Sequence, residues 1–281
     1  MNSTLKLLTV RRSCRVFKPK RVSPAVVSQL IEAGIHAPTG GNLQPYSIIK
    51  VEKAASRKKL ARLCWQDFLA KAPLHFIFCV DLYRQRRWAR LEKAPYSADR
   101  ALRPFWIAFQ DTMICAQNLC VAADALGLGS VYIGPVFDRM AEIRRMCRLP
   151  KGVVPVVLLA VGYPKVTPPV RKKLPASVLV HNETYRNMSD RELLKVFREK
   201  YAGVTRELTP EGLKSLSSAA RVANGPGFAQ KCVADAKKRG SLNAPQIVFG
   251  LNYRADVLLK NTRKHLRMLA ATGLGWADLL G

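Results

Sequence analysis

Four separated segments of the chain carry residue types that could do chemistry. The first is Arg11-Arg12-Ser13-Cys14-Arg15, with Phe17 two residues on. Its guanidiniums and hydroxyl can make bidentate, charge-assisted hydrogen bonds to the oxygens of a phosphate. Alone, such a cluster equally describes a basic surface turn. The second is Ala37-Pro38-Thr39-Gly40-Gly41-Asn42-Leu43-Gln44-Pro45-Tyr46. Its glycines permit close backbone approach, and the amides of Asn42 and Gln44 offer donors and acceptors to the edge of a heteroaromatic ring. A plain helix-to-strand loop would read the same way. The third, Gly127-Leu128-Gly129-Ser130-Val131-Tyr132-Ile133-Gly134-Pro135, holds a G-x-G between a helix and a strand. That is the reverse of the dinucleotide-binding order, so Ile133 and Gly134 suit a strand end lying against a flat ring instead. The fourth joins Gly162-Tyr163-Pro164 to Arg171-Lys172-Lys173. In an extended backbone residues 171 and 173 point the same way, so two cations could reach one phosphate, although a solvated basic turn fits as well.

The elements that must position these residues follow from local signals. Ser23-Pro24 opens a helix, with Ser as N-cap and Pro where no N–H is needed, and Val27, Leu30, Ile31 and Ile35 give it a buried stripe. It stops before Pro38, and residues 38–42 form a loop. Tyr46 to Val51 and Leu74 to Val80 read as strands around a helix from Ala54 to Ala70. Arg84 to Arg103 is polar and irregular and suits a surface excursion or lid. Ile107 to Leu126 is a helix apolar around most of its circumference, which places it in the core. A strand over Ser130 to Ile133, a helix capped by Asp138 and running to Cys147, and a doubly buried strand over Val153 to Val161 complete this part. After Pro175 the character changes. Val178 to His181 is a short strand candidate, Ser189-x-x-Glu192 matches a capping box, and Thr209-Pro210 and Ala255 to Thr272 mark further helices around a Gly225-Pro226-Gly227 breaker.

Composition narrows the classes. Apolar residues make up 48% of the 281, which argues against global disorder. The longest apolar stretch, Val153 to Val161, has a strand's length, so no membrane span is expected. A single Lys and no long apolar run precede Arg11, so no signal peptide is expected and the chain reads as cytoplasmic. Seven scattered cysteines without a C-x-x-C pair suit neither a disulfide scaffold nor a zinc site, and no metal is expected. His36, His75, His181 and His265 stand apart, without a companion carboxylate pattern, and structural roles are expected of them. The net charge of +28 divides as +20 over residues 1–180 and +8 over 181–281, so it is spread rather than confined to a tail. Such a field attracts nucleic acid only without specificity, and no nucleic-acid-binding motif accompanies it.

In their order and wording the four segments resemble the FMN-dependent nitroreductase family. The resemblance runs from about Leu5 to Tyr185 and is most specific in R-R-S-x-R-x-F and A-P-T-G-G-N-x-Q-P-Y, then in Asp111 to Gly134. It implies an α/β (α+β) three-layer fold, a central mixed, mainly antiparallel sheet flanked by helices. With the change of character after Pro175, the chain is read as an FMN-binding domain over 1–184 and a helical C-terminal extension over 185–281, outside the resemblance and packed on the core or on a dimer partner. The resemblance also implies a homodimer with FMN at the interface. By matching positions, Arg11, Arg12, Ser13 and Arg15 would bind the ribityl phosphate, joined by Arg171 and Lys173, where the family usually has Lys-x-Arg. Pro38, Thr39, Gly40, Asn42 and Gln44 would approach the isoalloxazine, in part from the partner subunit, and Ile133 and Gly134 would cover one ring face. Tyr46 stands where Trp is frequent, and Cys14 where an aliphatic residue is usual; Cys14 is expected to be a small buried hydrophobe.

The implied activity is ping-pong hydride transfer from NAD(P)H through flavin N5 to a nitroaromatic, quinone or similar small acceptor, with no protein nucleophile or acid–base residue. A same-fold flavin enzyme performing reductive dehalogenation, flavin fragmentation or ring dehydrogenation is one alternative, and a non-enzymatic, basic nucleic-acid-associated protein is another. The Arg84, Arg86, Arg87, Arg90 cluster either selects NADPH or an anionic acceptor, or is a solvated surface run.

Overall fold

The computed structural model describes residues 2–280, with side-chain surroundings to Ala277. The chain forms two compact units, Met1–Val170 with His265–Gly281, and Arg171–Lys264. The expected boundary lay at residue 184; the compact units instead divide after Val170, and the C-terminal segment belongs with the first.

In the first unit the elements are α1 (Ser3–Val10), α2 (Pro24–Ile35), β1 (Tyr46–Val51), α3 (Ala54–Leu63), β2 (Leu74–Asp81), α4 (Leu82–Leu91), α5 (Leu102–Ala125), β3 (Gly129–Ile133), α6 (Met140–Cys147) and β4 (Val153–Gly162). The strands form one antiparallel sheet of order β1-β2-β4-β3. Alternation along β2 sends Phe76 and Phe78 to one face and Ile77 and Cys79 to the other. The first face packs on Val27 and Leu30 of α2 and Cys115 and Leu119 of α5. The second packs on Leu60 of α3 and Ile143 of α6. Helices thus cover both faces, giving three layers. The register of β2 on β4 slips between Phe78 and Cys79, opposite Pro155, which has no N–H to give to a ladder.

The local signals for α2 hold: the Ser23 hydroxyl accepts from Val26 N at 3.4 Å and Pro24 fills the first helical position. Elsewhere the elements depart from what composition suggests. The Arg84–Arg103 stretch is irregular only in part: Asp81 caps Arg84 N at 2.9 Å and starts α4 directly from the end of β2, while residues 92–97 form no regular element. The helix expected over Ala54–Ala70 stops at Leu63, where Trp65 takes a left-handed φ of 53°. Asp138 does not cap α6; its carboxylate faces His265 Nε2 at 3.0 Å.

The second unit holds α7 (Ala176–Leu179), α8 (Asp190–Lys200), β5 (Thr205–Glu207), α9 (Pro210–Asn224), α10 (Pro226–Arg239), β6 (Ser241–Asn243) and α11 (Ala244–Ile247). The strand expected over Val178–His181 is replaced by the single turn α7, closed by Val180 N donating to Ala176 O at 2.8 Å. The capping box of Ser189 and Glu192 is present at the start of α8. β5 and β6 pair antiparallel. Leu216, Ala236, Leu242 and Ile247 make a core of the unit's own. The last helix, α12 (Ala255–Ala270), begins in this unit, and from residue 265 it belongs to the first. There Leu269, Leu274 and Trp276 are buried with Val80, Ala108, Met140 and Val154.

Candidate functional site

The 11–15 segment is laid along the sheet edge rather than left as a free turn. Cys14 N donates to Ser130 O at 2.9 Å, and Ser13 bridges Ser130 in the parallel sense. Further on, Lys18 N donates to Tyr163 O and Lys165 N to Val16 O, so residues 13–18 run between the start of β3 and the end of β4. Gly129 is what lets them lie so close: a Cβ there would fall 2.6 Å from Cys14 Cβ. Cys14 is buried, and burial pushes its thiol up from the ordinary range, against the pull of Arg15; it is a core residue as expected.

The four donors of this segment divide. Arg11 turns inward, its Nε donating to Cys120 Sγ at 3.0 Å and lying 3.9 Å from Asp124 on α5, while its Nη2 is buried with no hydrogen-bond partner. Burial raises the Asp124 carboxyl, against the opposing pull of Arg11 and Arg12. Arg12 Nη1 donates to Pro168 O at 3.4 Å. Among the described residues the side chains of Ser13 and Arg15 make no hydrogen bond. A cleft of about 180 Å3 opens here, lined by Arg11, Arg12, Asp124, Gly127 and Thr167 among others. Ile133 is buried at the end of β3, while Gly134 next to it is exposed, with nothing within 4 Å of where a Cβ would be.

The 38–44 loop sits elsewhere on the same helix. Both carboxylate oxygens of Asp111 accept from Gly40 N, at 3.2 and 3.1 Å. Burial raises the Asp111 carboxyl, while the Gly40 N–H pulls the other way. A Cβ on Gly40 would meet Ile107 Cγ2 at 2.9 Å, so glycine is required for the loop to reach α5. Pro38 is exposed and Thr39 accepts from Gln44 N through its hydroxyl at 3.2 Å. Gln44 Nε2 donates to Ile35 O at 3.1 Å, and the Asn42 side chain makes no hydrogen bond among the described residues. The two clusters therefore rest on α5 at Asp124 and at Asp111, about 20 Å apart along its axis at 1.5 Å per residue. No hydrogen bond joins them among the described residues. Arg171 and Lys173 are exposed and belong to the second unit.

Sequence reasoning passed over the residues that hold these pieces. Asp111 and Asp124 are the two acids of a largely apolar helix, and that anomaly was a usable signal. Arg84 gave none, since its partners lie 38 and 40 residues away. In the arginine cluster Arg84 and Arg86 are committed internally, Arg86 to Asp99 at 2.8 Å, and Arg87 lies over the Tyr83 ring. The histidines are not all without carboxylates: His265 faces Asp138 at 3.0 Å and His36 lies 3.4 Å from Glu32. The first of these pairs spans 127 residues of sequence and leaves no local pattern.

Comparison with known proteins agrees with this architecture. The chain belongs to the nitroreductase family, whose model matches residues 8–163. The oxygen-insensitive NADPH nitroreductase of Salmonella typhimurium is 32% identical over 203 residues, covering 72% of this chain and 82% of its own. The FMN reductase (NADPH) of Bacillus subtilis is 28% identical over 220 residues, covering 74% of this chain and 88% of its own. Among solved structures, the hypothetical oxidoreductase YcnD from Bacillus subtilis superposes with a TM-score of 0.76 at 26% identity, covering 98% of each chain.

Proposed function

We propose that this chain is an FMN-dependent NAD(P)H oxidoreductase that works as a homodimer in the cytoplasm, passing hydride equivalents to a small oxidised acceptor such as a nitroaromatic or quinone. The observation that carries the reading is the set of donors on the 11–15 segment. The hydroxyl of Ser13 and the guanidinium of Arg15 have no hydrogen-bond partner among the described residues, and Arg11 keeps a buried, unpartnered Nη2. A buried donor such as Arg11 Nη2 is costly unless something accepts from it, and a phosphate dianion fits both it and the free donors of Ser13 and Arg15. Arg12, Ser13 and Arg15 would hold that phosphate, with Arg11 behind them. Arg171 and Lys173, three and five residues beyond Pro168, would add charge. The open strand end at Ile133 and Gly134 leaves room for a flat ring.

Pro38, Thr39, Gly40, Asn42 and Gln44 would meet the ring from the other side, with the amides of Asn42 and Gln44 supplying donors and acceptors to its edge. In a homodimer this loop would be contributed in part by the second subunit. Bound there, FMN supplies a two-electron carrier between the nicotinamide and the acceptor. The protein's own task is to bind, orient and exclude water, and no side chain is assigned a proton transfer. Seven free cysteines fit a reducing compartment. No helix among the described residues is long and apolar enough to cross a membrane.

Purified protein is expected to be yellow, with flavin absorbance that NADPH or NADH bleaches anaerobically. Colourless protein that takes up no FMN on reconstitution would overturn the proposal.

A further inference from the structure

The loop from Gly40 to Gln44 has a backbone that its residue types do not favour. Gly41, Asn42 and Gln44 all have positive φ, at 60°, 54° and 46°. Two of these are not glycine, and such conformations persist only where the surroundings enforce them. One end is fixed by Asp111 on Gly40 N. The other end is fixed by Arg84. Its Nη2 donates to Gln44 O at 2.7 Å and to Tyr46 O at 2.8 Å, and its Nη1 to Ser47 Oγ at 3.5 Å. Arg84 is itself held. Asp81 lies 3.9 Å from its Nη1 and accepts from its backbone N–H at 2.9 Å, and the other oxygen of Asp81 accepts from Ser47 Oγ at 2.5 Å. The guanidinium, pre-aimed from the first turn of α4, holds both carbonyls through Nη2 and reaches Ser47 through Nη1; a lysine, with one nitrogen on a shorter stem, cannot make all three contacts.

We propose that Arg84 is a positioning residue for the flavin: it locks the left-handed exit of the 40–44 loop into β1, and thereby sets where Asn42 and Gln44 stand against the ring edge. The inference rests on the FMN reading above. It also gives Arg84 an occupation different from selecting NADPH or an anionic acceptor, because its guanidinium is spent on backbone carbonyls.

The test is FMN titration of the apoprotein by fluorescence quenching, with visible circular dichroism of the bound flavin, in Arg84→Met, Arg84→Lys and Arg87→Met. Loss of charge-assisted hydrogen bonds to two carbonyls is expected to raise the FMN Kd roughly tenfold in Arg84→Met and to change the visible dichroism. Arg84→Lys should recover part of the affinity, since an ammonium keeps the charge but ends one bond shorter and cannot reach both carbonyls and Ser47 together. Arg87→Met removes a nearby positive charge and should leave both readings unchanged. Should Arg84→Met fail to fold, Arg84→Lys carries the test alone, with an expected loss of roughly threefold. Wild-type affinity and dichroism in every Arg84 variant that folds would overturn the proposal, and so would an equal loss in Arg87→Met, which would mark a general charge effect. Wild-type protein that binds no FMN would instead overturn the proposed function.

Discussion

His75 shows how a single buried group writes itself into the behaviour of the chain. It lies on β2 with no exposed surface, its Nε2 2.8 Å from Leu69 O and its Nδ1 buried without a partner. A neutral ring that donates from Nε2 suits this site, whereas an imidazolium would carry an unanswered charge into the core. Burial accordingly holds its pKa down at about 4, with the nearby Arg57 pushing in the same direction and the Leu69 carbonyl opposing. The unfolded chain, with an ordinary value of 6.5, takes up the proton first, so the stability that His75 contributes is complete above that value and is lost as pH falls towards 4. The loss approaches about 3 kcal/mol at the low end. Urea unfolding at pH 7 and at pH 4.5 is expected to show most of it, and His75→Gln should flatten the dependence. An equally steep loss in His75→Gln would assign the effect elsewhere. Asp256, held down at about 2 by hydrogen bonds from Arg254 and Ser218, acts only at still lower pH.

At the scale of elements, α5 is the bracket on which the candidate site is assembled, and the C-terminal segment is part of the core beneath it. Leu274 is fully buried with Ala108 of α5 and Val154 of β4, whereas Leu194 on α8 is half exposed. Leu274→Ala should therefore cost about 3 kcal/mol of stability, and Leu194→Ala well under 1. Denaturant unfolding followed by circular dichroism separates the two, and a negligible loss in Leu274→Ala would show that the 265–277 segment is not a working part of the core. The same contrast explains what the sequence could disclose. Ser23-Pro24 and Ser189-x-x-Glu192 were legible because a cap is satisfied within three residues of itself. The four strands of the first unit's sheet were legible because apolar runs are local, whereas the short β5 and β6, which pair across up to 38 residues, were not foreseen. The return of Leu269, Leu274 and Trp276 to the first unit depends on contacts more than a hundred residues away, so that segment read as extension. Arg84 and Asp138 were misread for the same reason: their partners lie on other elements. The phosphate and loop segments were legible as motifs, while the two acids of α5 that separate them had no motif to announce them.

For the whole molecule, the proposed dimer makes a prediction that a monomeric site would not. If one chain supplies Arg12, Ser13 and Arg15 while its partner supplies Asn42 and Gln44, each site of a symmetric dimer is built from both subunits. Two defective chains can then repair each other. A chain carrying Arg12→Gln with Arg15→Gln, and a second carrying Asn42→Ala with Gln44→Ala, should each bind FMN weakly alone. Unfolded together and refolded as a mixture, they form mixed dimers in which one site collects every substitution and the other collects none. With random pairing, about a quarter of all sites should regain wild-type affinity, read as tightly bound flavin after gel filtration. If both clusters of a site came from the same chain, every site in the mixture would stay defective and no tight flavin would return. The +28 charge sharpens the design, because it draws the anionic cofactor towards all forms of the protein at low salt. Titration at physiological ionic strength suppresses that general attraction, so the flavin that remains bound reports the completed site.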